Sequence, residues 1–457
     1  MKIIFIALAI GFCTLHIYGQ STPLLKISND RHYIVTEDDK PFFWLGGTAW
    51  ELIHRLNKKD AKYYLSDRAS KGFTVIQTVI LAEFNGLKTP NAYGQLPLID
   101  NDPTKLNEKY FELVDYVIQQ ADSLGLYIGL LPTWGDKWNK RRGAGPEIFT
   151  PKNAEKYGEL LANRYKSYNN IIWILGGDRC PEKALHFDII NSMAKGIRNV
   201  DRKHLISYHP TGSKIATESF NENWLDIDMF QSGHSRMQKD YGYVLKSRKN
   251  SKVRPVINGE ARYENIQDRF WKNSDGDWLD DADVRTTAYW TMISGAAGYT
   301  YGCNDIWQMY DYTKVPIINA RTDWKESLNL PGSIQMRFMK DLFEIFPWQK
   351  MVCNQSLIVN DNPEDESYIV CAVGPLNDFV ISYTPYGKPI KINLTLLNAE
   401  RVKAYWYNPR SGKVVKIGDF STKESIVFKP WSNGRGSDFI LVIMDINSTY
   451  NLISLNK

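Results

Sequence analysis

From residue 42 onward, the chain alternates between short runs of consecutive apolar residues and longer stretches in which apolar residues recur every three or four positions. The continuous runs are typical of parallel strands buried on both faces, and the wider spacing is typical of amphipathic helices. The apolar runs cover residues 42–46, 74–81, 127–132, 171–176, 205–208, 227–230, 255–258 and 296–301. Helical spacing covers residues 59–70, 106–124, 153–168, 183–200, 241–247, 282–294 and 333–346, and residues 212–224 show it only weakly.

Eight strand-and-helix repeats over roughly 260 residues favour a closed barrel, because open doubly wound sheets seldom have eight strands of such regularity. We therefore predict an α/β fold in which residues 41–348 form a (β/α)8 TIM barrel. After residue 348 the pattern changes to short runs with turn residues about every ten positions. These runs cover residues 356–359, 368–373, 379–384, 390–396, 402–407, 414–417, 426–428 and 439–444. They predict a small antiparallel β-sandwich over residues 349–446.

Both ends of the chain differ from this pattern. Residues 1–20 contain one early Lys, an apolar stretch and small or polar residues before Ser21. This order is typical of a cleavable secretory signal peptide, and a buried N-terminal strand is the alternative. We expect an exported protein of a Gram-negative bacterium, periplasmic or extracellular, with no transmembrane anchor after cleavage. Residues 21–40 predict a β-hairpin packed on the barrel, and we expect the polar residues 447–457 to be loosely ordered.

The composition is that of a globular protein and excludes some partners. Hydrophobic residues make up 43% and charged residues 23% of the chain. The net charge of +5 is mild and no block of Lys or Arg occurs, so we expect no nucleic-acid partner. The 14 Trp and 26 Tyr residues can fill the core, and those near strand ends can stack on sugar rings. Cys353 and Cys371 fall in the same predicted domain and either pair or remain separate buried thiols.

Two segments combine a buried strand with glycine and a carboxylate: Ile171-Ile-Trp-Ile-Leu-Gly-Gly-Asp178 and Pro255-Val-Ile-Asn-Gly-Glu-Ala261. In a (β/α)8 barrel, the C-terminal ends of the strands form the active face, so Asp178 and Glu260 should meet there. A pair of carboxylates is what glycoside hydrolysis requires, one to protonate the leaving oxygen and one to attack or to activate water. The sequence therefore predicts a barrel glycosidase that needs no cofactor.

Other strand ends supply groups suited to an uncharged polyol ring, which needs hydrogen bonds at its edge and stacking on its face. The predicted substrate-binding residues are Trp50, Glu83, Trp134, Asp136, His209, His234, Asn304 and Trp307. Several of the candidate residues at the strand ends have a structural alternative. Asp178 could cap a helix, Glu83 could pair with Lys137 or an Arg, and the two histidines could be hydrogen-bonded core residues. We predict no metal site, since no ligand motif such as HExxH supports one.

At these residues the chain resembles the apiosidase-like barrels of glycoside hydrolase family 140. The matching stretches are Pro41-Phe-Phe-Trp-Leu-Gly-Gly-Thr-Ala-Trp50, Ile172-Trp-Ile-Leu-Gly-Gly-Asp178-Arg179, Val256-Ile-Asn-Gly-Glu260-Ala261 and Gly298-Tyr-Thr-Tyr-Gly302, together with Val402-Lys-Ala-Tyr-Trp-Tyr-Asn-Pro-Arg-Ser-Gly412 in the sandwich. The resemblance implies hydrolysis of the link between apiose and galacturonic acid in side chains of the pectin rhamnogalacturonan II. It also implies that Asp178 is the acid/base and Glu260 the nucleophile.

These roles set requirements on the two carboxyl groups. The pKa of Asp178 should be raised by burial and by the charge of Glu260, and Glu260 should stay ionised with help from Arg262 or a strand-end amide. We expect a retaining mechanism, although the fourth strand ends in Gly-Asp where the larger retaining clan has Asn-Glu. Two alternatives remain open: hydrolysis of another plant or host glycan on the same scaffold, and a non-catalytic glycan- or matrix-binding protein.

Overall fold

The computed structural model describes residues 22–272 and 276–456, so the predicted signal peptide lies outside the described residues. Eight parallel strands form the barrel: Trp44–Thr48, Val75–Leu81, Tyr127–Thr133, Ile171–Gly176, Ile206–His209, Asp228–Gln231, Val256–Glu260 and Gly298–Cys303. Neighbours in chain order pair with each other, and the eighth strand pairs with the first. A parallel bridge between Ser207 and Ile227 joins the fifth strand to the sixth. The predicted (β/α)8 barrel is confirmed.

Helices surround the barrel and follow almost every strand. Their bounds are Leu52–Arg55, Lys58–Ser70, Glu108–Ser123, Pro151–Tyr165, Ala184–Val200, Asp240–Arg248, Asp281–Ile293, Asn304–Trp307, Trp324–Ser327 and Pro331–Phe343. The fifth strand is followed instead by a short strand, Lys214–Ile215, and a 3₁₀ turn, Ala216–Glu218, in the region of weak helical spacing. Further 3₁₀ turns cover Gly135–Lys137, Trp348–Lys350, Gln355–Leu357, Leu394–Leu396 and Leu452–Leu455.

Two apolar layers hold the barrel together. One cluster contains residues from all eight barrel strands or their ends and fills the interior, for example Trp44, Leu131 and Met229. A second, larger cluster lies between the strands and the helices. The antiparallel hairpin of Leu25–Ile27 and Ile34–Thr36 adds its apolar side chains to the interior cluster. The interior is thus a packed core on which the side chains at the strand ends rest.

The C-terminal domain is antiparallel, as predicted. One sheet has six strands in the order Val352–Cys353, Val370–Val373, Phe379–Thr384, Phe439–Asp445, Arg401–Asn408 and Lys413–Ser421. A second sheet pairs Ile390–Asn393 with Ser425–Phe428. One face of the larger sheet packs on the barrel helices and the other packs on the smaller sheet. The domain therefore shares a hydrophobic core with the barrel.

Two expectations about this domain are wrong. Residues 356–359 do not form a strand, because the Asn354 side chain accepts the Ser356 backbone N–H and starts the 3₁₀ turn Gln355–Leu357. Residues 447–456 are docked rather than loose, since the Tyr450 ring lies 4.9 Å from that of Phe346 and the side chain of Asn456 bonds both backbone groups of Val414.

The thiols of Cys353 and Cys371 do not pair. Cys353 lies opposite Ala372 in the sheet, so the side chain of Cys371 points to the other face. Cys180, Cys303, Cys353 and Cys371 are all free. Within the described residues, no helix has the length and apolar character needed to cross a membrane.

Candidate active site

An open pocket of about 590 Å³ lies over the C-terminal ends of the barrel strands. Every barrel strand or the segment directly after it contributes to the wall. The lining includes Trp50, Glu83, Phe84, Trp134, Arg142, Asp178, Arg179, Thr211, Gln231, His234, Gln238, Glu260, Tyr263, Ile266, Phe270, Trp271, Trp307, Ile317 and Ile318. The two carboxylates predicted for catalysis, Asp178 and Glu260, thus lie in one cavity.

Asp178 reaches the pocket through a turn of three residues with positive φ. The φ angles are 98° at Gly176, 83° at Gly177 and 55° at Asp178. A Cβ at Gly176 would lie 2.5 Å from the carbonyl oxygen of His209, and one at Gly177 would lie 2.7 Å from the backbone nitrogen of Gly135. Only glycine fits these positions, and the turn that results directs the Asp178 carboxylate over the barrel mouth.

Glu260 is directed into the same mouth by a bulge. The pairing of the sixth and seventh strands shifts register between Asn258 and Glu260. A Cβ at Gly259, within the bulge, would lie 2.3 Å from the Met229 sulfur, so any larger residue before the acid would require the Met229 side chain to move. The Asn-Gly-Glu and Gly-Gly-Asp segments therefore have the same physical role: each replaces a regular strand end by a turn that presents a carboxylate.

Two histidines hold the Glu260 carboxylate. His209 Nε2 lies 3.1 Å from Oε2, and His234 Nε2 lies 3.2 Å from Oε1. The approach of His209 is bent away from ideal hydrogen-bond geometry. His209 is fully buried, and its Nδ1 accepts the backbone N–H of Asp178 at 3.2 Å. Because Nδ1 accepts, the neutral ring must carry its proton on Nε2, facing Glu260.

Tyr263 is a further neighbour of Glu260. Its hydroxyl accepts a hydrogen bond of 3.0 Å from Trp50 Nε1, and its ring centroid lies 4.2 Å from that of His234. Burial raises the pKa of Tyr263 well above its usual value, and the adjacent Glu260 raises it further. The phenol therefore stays protonated and available as a donor to the carboxylate.

The two carboxyl groups have opposite pKa shifts. Burial raises the pKa of Asp178 and the negative charge of Glu260 adds to this shift, while Arg179 opposes it. Burial would also raise the pKa of Glu260, but the contacts with His209 and His234 outweigh burial and lower it. Between these two pKa values, Asp178 carries a proton and Glu260 is ionised, which is the division that an acid and a nucleophile need.

Glu83 supplies a third carboxyl group to the pocket wall. Burial raises its pKa to about 8, and the charge of Asp178 contributes to the increase. No direct partner for its carboxyl group was found among the described residues, and Lys137 contacts only its backbone oxygen, at 3.5 Å. The alternative that Glu83 forms an ion pair with Lys137 or an Arg is thus not seen among the described residues, although the charge of Arg179 partly opposes the rise of its pKa. The neutral acid can donate a hydrogen bond to a sugar oxygen.

The three predicted tryptophans line the pocket, but they are largely buried. Trp50 is 2% exposed, Trp134 4% and Trp307 6%. The rings of Trp50 and Trp134 lie 5.2 Å apart, and Trp50 also packs against His209. They form a pocket floor rather than free-standing platforms. Trp134 Nε1 is buried without a partner among the described residues, so it can donate to a ligand.

Three of the predicted substrate-binding residues, Asp136, His209 and Asn304, do not line the pocket. Asp136 is fully buried: one oxygen lies 2.6 Å from Lys137 Nζ and the other accepts the backbone N–H of Gly145 at 2.8 Å. Asn304 accepts Trp307 Nε1 at 3.1 Å and donates to the carbonyl of Ile318 at 2.8 Å. Asn304 therefore supports two residues of the wall without lining it.

Arg262 also differs from expectation. Its Nη2 donates to the carbonyl of Gln238 at 2.7 Å and lies 3.3 Å from Asp240 Oδ2. The Arg262 guanidinium binds the segment that follows the sixth strand. The two histidines, rather than Arg262, therefore lie beside the Glu260 carboxylate.

Sequence reasoning missed several wall residues, chiefly Tyr263, Arg142, Phe270, Trp271 and the pair Ile317–Ile318. Tyr263 lies only three positions after Glu260, so its place after the same strand was a usable signal. The others lie on long loops whose path depends on tertiary contacts.

Comparisons with known proteins identify a family for each of the two domains. Residues 28–350 match the family model "Apiosidase-like, catalytic domain", and residues 352–444 match the model "Putative collagen-binding domain of a collagenase". No curated protein matches the chain.

Two solved structures are similar over nearly the whole length. One, described as a glycoside hydrolase, is 32% identical, with a TM-score of 0.87 over 94% of this chain and 98% of the other. A glycoside hydrolase family 5 protein from Bacteroides vulgatus is also 32% identical, with a TM-score of 0.87 over 94% of this chain and 95% of the other. The catalytic-domain model covers more than half of the chain and both carboxylates lie within it. The chain therefore belongs to the apiosidase-like family and is a glycoside hydrolase.

Proposed function

We propose that the enzyme hydrolyses the linkage between apiose and galacturonic acid in side chains of rhamnogalacturonan II, with retention of configuration, and that it does so after export from the cell. The apiosidase-like family model supports the sugar, and the residues beside the acid support the uronic acid.

The observation that carries the proposal is a recess of about 190 Å³ that adjoins the main pocket at Asp178. Arg141, Arg142 and Arg179 line it together with Asp178 and Thr211. The general acid protonates the leaving oxygen, so the leaving group must lie on the Asp178 side. Guanidinium groups bind carboxylates in a planar, two-pronged geometry, and three of them favour a leaving group that carries a carboxylate, as galacturonic acid does.

Two of these arginines have donors to spare. Arg179 Nη1 donates to Asp178, but its buried Nε has no partner in the described part of the chain. Arg142 is exposed at the mouth and forms no ion pair with any described residue. Arg141 lies 3.1 Å from Glu182. The recess therefore retains positive charge that a bound carboxylate can neutralise.

The protonation states define the chemical steps. The Asp178 carboxyl group donates its proton to the glycosidic oxygen while the Glu260 carboxylate attacks the anomeric carbon, and the bond to the leaving group breaks. The sugar is then an ester of Glu260. Asp178, now a carboxylate, takes a proton from water, whose oxygen attacks the anomeric carbon and releases Glu260 as a carboxylate. One water is consumed and both residues return to their starting states.

The test compares two substrates that differ in their carboxylates, including the one at the proposed contact. Rhamnogalacturonan II and its carboxyl-reduced form are incubated with the enzyme, and the products are analysed by mass spectrometry. We expect the native form to release a side chain that ends in a reducing apiose. The carboxyl-reduced form should release this product at least about tenfold more slowly. Arg142→Gln should weaken cleavage of the native form more than that of the reduced form. Equal rates for both forms, or faster cleavage of another glycan, would reject the galacturonate assignment.

Two further measurements test the remaining parts of the proposal. Proton NMR of the first product distinguishes retention from inversion, because the anomeric signal is read before mutarotation. N-terminal sequencing of the protein recovered outside the cytoplasm should begin near Ser21. An intact Met1 in the recovered protein would contradict export through a cleaved signal.

A further inference from the structure

The C-terminal domain contacts the start of the barrel helix Asp281–Ile293 through Arg435. This residue precedes the last strand of the domain, Phe439–Asp445, and its side chain is 37% exposed. Its guanidinium lies across two barrel carboxylates: Nη1 donates to Asp280 at 2.8 Å, and Nη2 donates to Asp280 at 2.7 Å and to Asp283 at 2.6 Å. A residue outside the barrel thus contributes three charge-assisted contacts at the edge of the active face.

The two carboxylates that Arg435 binds begin the helix Asp281–Ile293. Asp280 caps this helix, and Asp280 and Asp283 form a reciprocal capping box. Asp283 has a second cationic partner, since Arg236 Nε lies 3.0 Å and Nη2 3.2 Å from its oxygens. Asp283 is 4% exposed, and both arginines lie against its carboxylate, where a buried charge needs a cationic partner. The capping box therefore connects Arg435 to Arg236.

Arg236 belongs to the short segment that carries His234. Its backbone N–H donates to Asp268 at 3.0 Å, and its carbonyl accepts Arg262 Nη2 at 3.2 Å. Two residues earlier, His234 Nε2 lies 3.2 Å from Glu260. A continuous set of contacts thus runs from the C-terminal domain to the nucleophile.

We infer that Arg435 is a positioning residue for the glycosidase: through Asp283 and Arg236 it holds His234 against Glu260, so that the C-terminal domain completes the active site instead of forming a separate binding module. The inference rests on the glycoside hydrolase activity and not on the identity of the sugar. The groups that face Glu260 are His209 on the fifth strand, His234 after the sixth, Tyr263 after the seventh and Asp178 after the fourth. Among them, only His234 is carried by the segment that Arg236 tethers.

The test uses the full chain and the variant Arg435→Gln. Displacing His234 removes one of the two contacts that keep Glu260 ionised, so the acid limb of the kcat/KM profile should move to higher pH. We expect kcat/KM at neutral pH to fall about three- to thirtyfold, the usual range for a coupled residue outside the ligand site. Arg435→Lys keeps the positive charge but lacks the planar set of guanidinium donors. Its kcat/KM should therefore lie between that of Arg435→Gln and that of the wild type.

Two controls separate positioning from loss of stability. Asp438→Asn breaks a different cross-domain pair, with Arg285 at 2.8 Å, in which both side chains are 1% exposed. It should lower the Tm at least as much as Arg435→Gln without moving the acid limb. Glu364→Gln breaks an exposed cross-domain pair with Lys239 at 2.9 Å and should change neither quantity.

A second readout needs no substrate. The imidazole nitrogens of His234 can be followed by NMR in the ¹⁵N-histidine protein, with the signals identified by their loss in His234→Asn. Arg435→Gln should shift these signals and their titration, and Asp438→Asn should not. The inference fails if Arg435→Gln lowers the Tm but leaves the acid limb and the His234 signals unchanged. It also fails if Asp438→Asn moves them equally, because the effect would then belong to domain docking in general.

Discussion

His209→Asn is the perturbation that best tests the proposed division of protonation. The imidazole is fully buried and connects the two proposed catalytic residues, since Nδ1 accepts the backbone N–H of Asp178 and Nε2 lies 3.1 Å from Glu260. Asn is shorter than the imidazole and cannot reach both groups. His209→Asn should therefore lose the contact with Glu260, the contact with the turn that positions Asp178, or both.

The size of the effect follows from the contact with Glu260. A hydrogen bond to a charged group contributes about 1.5–3 kcal/mol. The bent approach of Nε2 places this contact at the lower end of that range. One pKa unit corresponds to about 1.36 kcal/mol, so losing the contact should raise the pKa of Glu260 by about one unit. The carboxylate is the reactive form, and the acid limb of kcat/KM should move to higher pH by the same amount.

The assay is the pH dependence of kcat/KM, which reports the ionisation of the free enzyme. The matched control is His204→Asn, because His204 is also buried beside a carboxylate, that of Asp201, but lies before the fifth strand at the opposite end of the barrel. The control should lower the Tm without moving the acid limb. An unchanged acid limb in His209→Asn would refute the argument that the histidine contacts keep Glu260 ionised.

Three further predictions concern the carboxyl groups. Asp178→Asn and Glu260→Gln should each lower kcat at least about a hundredfold with a nearly unchanged Tm; if both retain more than about a tenth of the activity, the pair is wrongly assigned. Glu83→Gln should retain activity near pH 6 within about a factor of five, because burial and the charge of Asp178 raise the pKa of Glu83 to about 8 and Gln resembles the neutral acid. Loss of activity at every pH would instead make Glu83 the general acid. Chelating agents should leave kcat unchanged, since two carboxyl groups suffice for the reaction, and a loss restored by added metal would contradict the mechanism.

The parts of the fold that depend on local pattern could be predicted from the sequence. The apolar runs identified all eight barrel strands, since strands buried on both faces show few polar positions. The Gly-Gly-Asp and Asn-Gly-Glu segments indicated where carboxylates meet the active face, because glycine before a strand-end acid reports a tight turn or bulge. Helix starts were less accurate: Pro151–Tyr165 begins two residues before the predicted start because Thr150 caps it and Pro occupies its first turn.

The direction of each side chain could not be predicted in the same way. Asp136 and Asp178 both follow barrel strands, yet one is enclosed by Lys137 and the Gly145 backbone and the other faces the pocket. The difference depends on loops that fold back over the third strand, and the spacing of apolar residues does not predict the path of these loops. The same holds for the recess of arginines, because Arg141 and Arg142 lie on a loop and meet Arg179 only in the folded protein.

The environments of Asp178 and Glu260, rather than their chemical identity, explain why one can act as the acid and the other as the nucleophile. Both are carboxyl groups in one pocket, and burial alone would raise the pKa of each. Two histidines and a phenol surround Glu260, whereas Asp178 faces the charge of Glu260 itself. Because the negative charge of Glu260 raises the pKa of Asp178, keeping Glu260 ionised also keeps Asp178 protonated. A substitution that weakens the contacts of His209 or His234 should therefore impair both the acid and the nucleophile.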